Sequence, residues 1–381
     1  MDTQSRTIKI AVVASYFYPK IGGLENYAYL LAKNLHTSGK YQVSIITSNY
    51  DGTGYKKETI DGMTVHRLPI WFKISNTPIN PMWYWSIKKI FEIEQPDIVH
   101  VHSPVPFMAD VAARAAGNRP VVLTYHSGSM LKGKWFIDIF IKLYEKVFLR
   151  SLFSRSNAII AVSQVFAQRE MTNFKQKIHV IPPGVELTRF RPSPLPRDHK
   201  TIMFIGRIEH SSSWKGIEYL LQAGVIVIKN HPSVTLELIG GGDAIEHYRE
   251  RARILGIESG VIFPGPLLGQ QLIDAYERAS VIVLPSTSDS EAFGTVLIEG
   301  MASGRPVIAS NIGGLPNVIT DEKNGLLVPP GDPQALANAI EQVLFDIPLA
   351  TRLANNGVMN AQSFSWDIQA KKYSELFKSL L

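Results

Sequence analysis

Two basic residues and two glutamates in the second half of the chain are spaced to serve a phosphorylated ligand. Arg207 directly follows the apolar run TIMFIG (201–206), and Lys215-Gly216 opens a helical stretch, IEYLLQAGVIVIK (217–229). An arginine at a strand's carboxyl end and a lysine at the next helix start can converge on one anion. The helix start adds unpaired backbone N–H groups. A pyrophosphate leaving group needs such a setting, because its developing charge must be matched where no metal does so. The plain alternative is two solvated surface charges. The segment EAFGTVLIEGMASG (291–304) places Glu291 in a loop after SVIVLPS (280–286), with a helix predicted to start near Gly294-Thr295. Glu299 then lies one turn in, on the face of Thr295. A diphosphate on that helix start would put a ribose diol near Glu299 and a sugar near Glu291. Carboxylates accept strongly from paired hydroxyls and tolerate phosphate only where Arg207 and Lys215 intervene. The alternative is one glutamate complementing the helix dipole and one merely exposed.

Other loops are glycine-rich, notably Gly240-Gly241-Gly242-Asp243 and Gly313-Gly314. Neither completes a GxGxxG fingerprint after a first strand, which argues against a dehydrogenase. Gly240 and Gly241 suit either a tight turn or a close approach of backbone to nucleotide. No metal is expected: the chain has no cysteine and no Asp-x-Asp element, and Asp289-Ser290-Glu291 overlaps the loop assigned to a sugar. The absence of cysteine fits a cytoplasmic enzyme. His126 lies in the run PVVLTYHS (120–127), where a lone histidine is more often a packed or surface residue than a chemical one.

The elements that must hold these residues repeat one pattern: a β-branched run, a loop marked by Gly, Pro or Ser, then a helical stretch. The first half gives runs at 8–15, 41–48, 63–69, 96–103, 120–127 and 157–163. The second gives them at 201–206, 234–240, 260–265, 280–286, 305–310 and 325–330. Near-continuous apolar strands separated by helices predict parallel sheets covered on both faces. Two such series predict two doubly wound α/β domains, which suits 381 residues at roughly 180 per domain. The proline-rich segment IPPGVELTRFRPSPLPRD (181–198) marks the boundary and suits a semi-rigid linker. SWDIQAKKYSELFKSLL (365–381) predicts a closing amphipathic helix. In open parallel sheets, ligands sit beyond the carboxyl ends of the strands.

With these motifs in place, the chain resembles the family-4 retaining glycosyltransferases, which include phosphatidylinositol mannosyltransferases and many polysaccharide and lipopolysaccharide hexosyltransferases. The resemblance runs through YPKIGGLENY (18–27), the His126 loop, IPPGVELTRFRP, GRIEHSSSWKG (206–216), EAFGTVLIE, PVIASNIGGLPNVI and NGLLVPPGD (324–332). It implies the GT-B fold, two Rossmann-like domains facing a central cleft. Residues 1–185 would bind the acceptor, 186–362 the nucleotide sugar, and 363–381 would cross back as a helix to the first domain. It implies retaining transfer of a hexose of mannose or glucose type from a GDP- or UDP-hexose to a glycan or lipid-linked acceptor, with no metal or other cofactor. Gly22 and Gly23 would approach the donor phosphate and the acceptor, and His126 the transferred sugar near its reacting carbon. Arg207 and Lys215 would hold the pyrophosphate. Glu291, with the backbone of Ala292, Phe293 and Gly294, would bind sugar hydroxyls, and Glu299 the ribose; Thr295, Gly240 and Gly241 complete the substrate-binding set. The run Ser211-Ser212-Ser213-Trp214 matches no subgroup, and the resemblance, in which Glu25 is common, assigns that residue no definite part in the acceptor site. No carboxylate pair of the kind retaining glycosidases use is evident. The reading favoured is a same-face mechanism, in which the departing phosphate oxygen takes the acceptor's proton.

One basic aromatic stretch, KGKWFIDIFIKLYEKVFLRSLFSR (132–155), has a narrow polar stripe at helical spacing. It predicts either a helix buried against its own domain or an interfacial helix whose basic residues meet anionic lipid, hence peripheral attachment to a membrane. Trp71-Phe72 and Trp83-Tyr84-Trp85 are candidates to line an acceptor site. No signal peptide is read at the N-terminus, and no run reaches the roughly 18 apolar residues of a spanning helix. The net charge of +6 points to anionic partners, but no nucleic-acid recognition motif accompanies it. Two other functions fit paired α/β lobes: a nucleotide-sugar epimerase and a two-lobed solute-binding protein. The Arg/Lys/Glu set weighs against the second.

Overall fold

The computed structural model describes residues 6–20, 22–74, 77–126, 135–170, 172–196 and 200–381. The chain divides into two compact units: residues 1–184 with 366–381, and residues 185–365. The closing helix, Trp366–Ser379, therefore belongs with the first unit.

In the first unit, β1 (Ile8–Val13), β2 (Tyr41–Ser48), β3 (Lys56–Ile60), β4 (Met63–Leu68), β7 (Ile98–Ser103), β8 (Val121–Tyr125), β9 (Ala158–Ala161) and β10 (Ile178–Val180) form one sheet. Its order is β10-β9-β8-β7-β1-β2-β4-β3. Every pairing is parallel except β3 with β4. The short β5 (Phe72–Ile74) and β6 (Thr77–Ile79) make a separate hairpin. Order reverses between β1 and β7, so the crevice beyond their carboxyl ends is a ligand-binding position by topology alone. The interior strands are almost wholly buried, as a sheet covered on both faces requires. The edge strand β3, KKETI, is polar and half exposed, which blunts an edge that would otherwise invite pairing.

In the second unit, β11 (Lys200–Ile205), β12 (Val234–Ile239), β13 (Val261–Gly265), β14 (Val281–Leu284), β15 (Val307–Ser310) and β16 (Leu326–Val328) pair in parallel throughout. The order β13-β12-β11-β14-β15-β16 reverses between β11 and β14. The loops after those two strands carry Arg207, Lys215 and Glu291, so topology places the predicted residues at the switch point.

The proline-rich boundary is not a free linker on its second-unit side. The guanidinium of Arg305, fully buried, donates to the carbonyls of Ser193 and Pro194 and to the Ser193 hydroxyl, as well as to the carbonyls of Ser303, Glu277 and Ala279. Proline removes donors, not acceptors, so a proline-rich segment can still be held through its carbonyls.

Candidate active site

In the second unit, Lys215 ends a short 3₁₀ turn, His210–Lys215, and Gly216 follows at φ 78°. A Cβ at Gly216 would fall 1.9 Å from the Pro285 carbonyl oxygen. Only glycine lets the loop after β11 lie this close to the loop after β14. That approach is reinforced by Thr287, whose N–H donates to the Trp214 carbonyl at 2.7 Å. The result is that Lys215 Nζ reaches Glu291 Oε2 at 2.6 Å. Ser286 Oγ donates to the same oxygen at 2.8 Å. Lys215 also lies 4.7 Å over the Trp214 ring. The side chains of Lys215 and Glu291 are only 15% and 9% exposed, so the pair is largely withdrawn from water. Both bonds to Glu291 fall on one oxygen, leaving Oε1 for a ligand. The Ser211–Trp214 run thus has a structural role: it sets Trp214 beneath the lysine.

Arg207 does not join this pair. Its side chain is 60% exposed and its ion pair is with Glu209 at 3.8 Å. The helix Thr295–Ala302 starts immediately after Gly294 and has no side-chain cap; the Gly294 carbonyl accepts from the Leu297 N–H at 3.0 Å, which leaves the N–H groups of Thr295 and Val296 without a bond from the cap residue. Phe293 turns its ring into the core against Phe364, leaving its backbone for any ligand. Gly240, at φ 151°, sits where a Cβ would fall 1.8 Å from the Gly206 carbonyl oxygen. Of the two sequence alternatives for this loop, the close approach seen is to protein backbone. Next to it, Gly241 accepts from the Ile208 N–H at 2.9 Å.

Glu299 accepts from the Tyr276 hydroxyl at 2.6 Å. Burial pushes its carboxyl up to about 7, against the opposing effects of the Tyr276 hydrogen bond and of Arg189; Glu186 adds to the rise. Tyr276, fully buried, packs edge-on to Phe190 at 5.3 Å. Nothing in the sequence marks Tyr276, which lies on a different helix, Gly269–Arg278, outside every motif.

In the first unit, His126 follows β8 and donates its backbone N–H to the Ser103 carbonyl. His102 Nδ1 is 2.8 Å from His126 Nε2. His100 Nε2 meets Thr124 Oγ1 at 2.8 Å, and Thr124 meets the hydroxyl of Tyr373, which meets that of Tyr27 at 2.6 Å. Tyr27 stands edge-on to His126 at 4.6 Å and to Trp366 at 5.2 Å. Burial pushes His100 and His126 down to about 3, so His126 is neutral at pH 7. Gly22 precedes the helix Gly23–Thr37; a Cβ there would collide with the Glu25 carboxylate, while one at Gly23 would meet open space. Sequence does not single out His100 and His102, because alternate residues on a buried strand read as core, nor Tyr373, which reads as the apolar face of the closing helix.

The basic aromatic stretch falls partly outside the described residues, at 132–134. The rest forms helix Trp135–Tyr144, a π-helical turn Glu145–Leu149 and helix Arg150–Arg155. Tyr144, Leu149, Leu152 and Phe153 join the core of the unit. Arg155 is taken up by the carbonyls of Ala113 and Gly117. Ile139, Leu143 and Val147 remain exposed beside Lys142, Lys146 and Arg150. Trp83, predicted at an acceptor site, is instead buried and donates to the Pro69 carbonyl. Trp71 and Phe72 lie with Asn49, Tyr50, Asp51 and Lys73 around an open surface depression of about 390 Å³.

Two family models cover most of the chain: "Glycosyltransferase Family 4" matches residues 21–189, and "Glycosyl transferases group 1" matches residues 199–346. An uncharacterized glycosyltransferase of Methanocaldococcus jannaschii is 30% identical over 97% of this chain and 98% of its own. The chain belongs to the family-4 glycosyltransferases. A phosphatidyl-myo-inositol mannosyltransferase of Mycolicibacterium smegmatis is 25% identical to this glycosyltransferase over 98% of the chain and 94% of its own. Among solved structures, the sucrose-phosphate synthase of Thermosynechococcus elongatus superposes with a TM-score of 0.78 at 24% identity, covering 98% of this chain and 99% of that one. The Anabaena protein HepE, solved in complex with UDP-glucose, superposes at 0.74 with 19% identity, covering 98% and 100%. These neighbours show that the glycosyltransferase has the GT-B fold. The epimerase and solute-binding readings give way to that membership.

Proposed function

We propose that this glycosyltransferase moves a hexose of mannose or glucose type, with retention and without metal, from a GDP- or UDP-hexose to a glycan or lipid-linked acceptor. The observation that carries the reading is the largely buried Lys215–Glu291 pair beside the uncapped helix start at Gly294-Thr295. There a cation and the N–H groups of Thr295 and Val296 suit a diphosphate, and Glu291 Oε1 suits sugar hydroxyls. Arg207 is exposed in the same loop system and would close on the diphosphate as it binds. Glu299 would take the ribose, and His126 the transferred sugar. The departing phosphate oxygen would accept the acceptor's proton, and Lys215 would stabilise the charge left behind. UDP and inositol-type acceptors appear in the names of neighbours and relatives, in keeping with this class of chemistry.

The test is nucleotide release from UDP-, GDP- and ADP-hexoses with and without a glycan or inositol-containing acceptor. Release that requires acceptor and persists in EDTA is expected. Loss of turnover in EDTA restored by Mg²⁺ or Mn²⁺ would overturn the metal-free part, and no release from any donor would overturn the whole. Among the described residues no helix is long and apolar enough to cross a membrane. The exposed line Ile139, Leu143, Val147, flanked by Lys142, Lys146 and Arg150, favours a lipid-linked acceptor met at an anionic surface. Co-sedimentation with anionic vesicles should fall with salt and with Lys142→Glu and Lys146→Glu. Wild-type protein that stays in the supernatant at low salt would point to a soluble acceptor.

A further inference from the structure

His102 touches the residue assigned to the transferred sugar, yet no role has been given to it. It lies on β7, buried, and His126 follows the neighbouring strand β8. The two rings are inclined by only 17° and their centroids are 5.1 Å apart. That separation is no more than the 2.8 Å between His102 Nδ1 and His126 Nε2 plus the two ring radii. The contact is therefore in plane and in line, the geometry of an imidazole–imidazole hydrogen bond and not of a face-to-face stack.

Burial keeps both rings neutral near pH 7. Between two neutral imidazoles one nitrogen donates and the other accepts, so the pair has two tautomer combinations. His102 Nε2 discriminates between them, because it is buried with no partner among the described residues. Were His126 the donor, His102 would carry its own proton on Nε2, a buried N–H with no acceptor. With His102 as donor from Nδ1, the orphan is a lone pair only. Buried unpaired N–H groups are rarer in proteins than under-used acceptors.

We propose that His102 is a positioning residue whose Nδ1–H holds His126 in the tautomer protonated on Nδ1, so that His126 meets the transferred sugar as a hydrogen-bond donor. This rests on the role of His126 in the proposed function. Three substitutions separate positioning from mere packing. In His102→Asn the amide nitrogen takes the place of Nδ1 and still donates. In His102→Asp the carboxylate only accepts and draws the His126 proton to Nε2. His102→Leu offers neither.

Long-range ¹H–¹⁵N correlation spectra of protein labelled at histidine, with His126 assigned by its loss in His126→Gln, read the tautomer without any substrate. Wild type and His102→Asn should show His126 protonated on Nδ1, and His102→Asp on Nε2. Turnover of His102→Asn should stay close to wild type, while kcat falls about tenfold to a hundredfold in His102→Asp and His102→Leu with donor KM little changed. A wild-type His126 protonated on Nε2 would overturn the proposal, as would His102→Leu at full kcat or His102→Asn as impaired as His102→Leu. If wild type turns over no nucleotide sugar, the proposed function fails while the tautomer measurement still stands.

Discussion

At the scale of single residues, Arg207 and Lys215 are both cations assigned to one diphosphate, but their surroundings differ, and so should their variants. Arg207→Ala and Lys215→Ala are each expected to lower kcat/KM by about a hundredfold, roughly 3 kcal/mol of lost charge stabilisation. Only Lys215→Ala should also lower the Tm, because it strands the Glu291 carboxylate in a site with little water. Equal Tm losses, or none in either, would refute that distinction. Glu299 gives a pH signature. Its carboxyl is held up at about 7 in the folded chain, so the folded state binds a proton that the unfolded state has released by then. The stability this provides is present below about pH 4.5 and is lost as pH rises to about 7, with a slope of at most ~1.4 kcal/mol per pH unit. Ribose hydroxyls should prefer the ionised carboxylate, so nucleoside diphosphate affinity should rise between pH 6 and 8. Calorimetric titration of wild type and Glu299→Gln checks this: the rise should be larger in wild type, and identical pH profiles would remove Glu299 from the ribose.

At the scale of elements, the buried Arg305 binds the segment ahead of β11 to the loop ahead of β15 through carbonyls alone, apart from the Ser193 hydroxyl. Arg305→Met keeps much of the volume and strands those acceptors, and is expected to cost at least about 3 kcal/mol in denaturant titrations. A loss under about 1 kcal/mol would show that the segment holds itself. Elements of this kind divide what the sequence reveals from what it hides. The strands were legible because a parallel sheet covered on both faces leaves a run such as TIMFIG no polar alternation: β2 spans the predicted 41–48, and β11 begins one residue before the predicted 201. The edge strand β3 was not: KKETI buries too little to carry a hydrophobic signal. In the candidate site, Glu291 and Lys215 could be read because each sits in a motif beside a strand end. Tyr276, His100 and His102 could not, because their meaning depends on contacts between elements far apart in sequence. The grip of Arg305 on the boundary segment was not legible either, because it falls on carbonyls that no sequence pattern marks.

At the scale of the whole molecule, the two units should answer pH in opposite senses. In the first, burial holds His100, His102 and His126 below their usual range, so the folded state resists a proton that the unfolded chain would take. That stability is complete above about pH 6.5 and is lost as pH falls towards 3, whereas the contribution of Glu299 in the second unit grows over the same descent to about 4.5. Calorimetry at stepped pH, with transitions assigned by proteolysis, should show the first unit's transition falling relative to the second's as pH drops from 7.5 to 5; a constant gap would count against the buried neutral histidines. The division of the chain has a further consequence. Residues 185–365 lie between the two parts of the first unit, so a ribosome completes the second unit while the first still lacks Trp366–Leu381. Until Tyr373 emerges, Thr124 and Tyr27 have no hydroxyl to join them, and the groove that Trp366 fills beside Gly184 stays open. Synthesis at about 5–20 residues per second makes that delay on the order of a second once Ser365 is made. During birth, the unit begun first is thus the last to close, and a transcript that stops short of the final helix should yield a folded second unit tethered to an unfinished first, the form a quality-control protease would recognise.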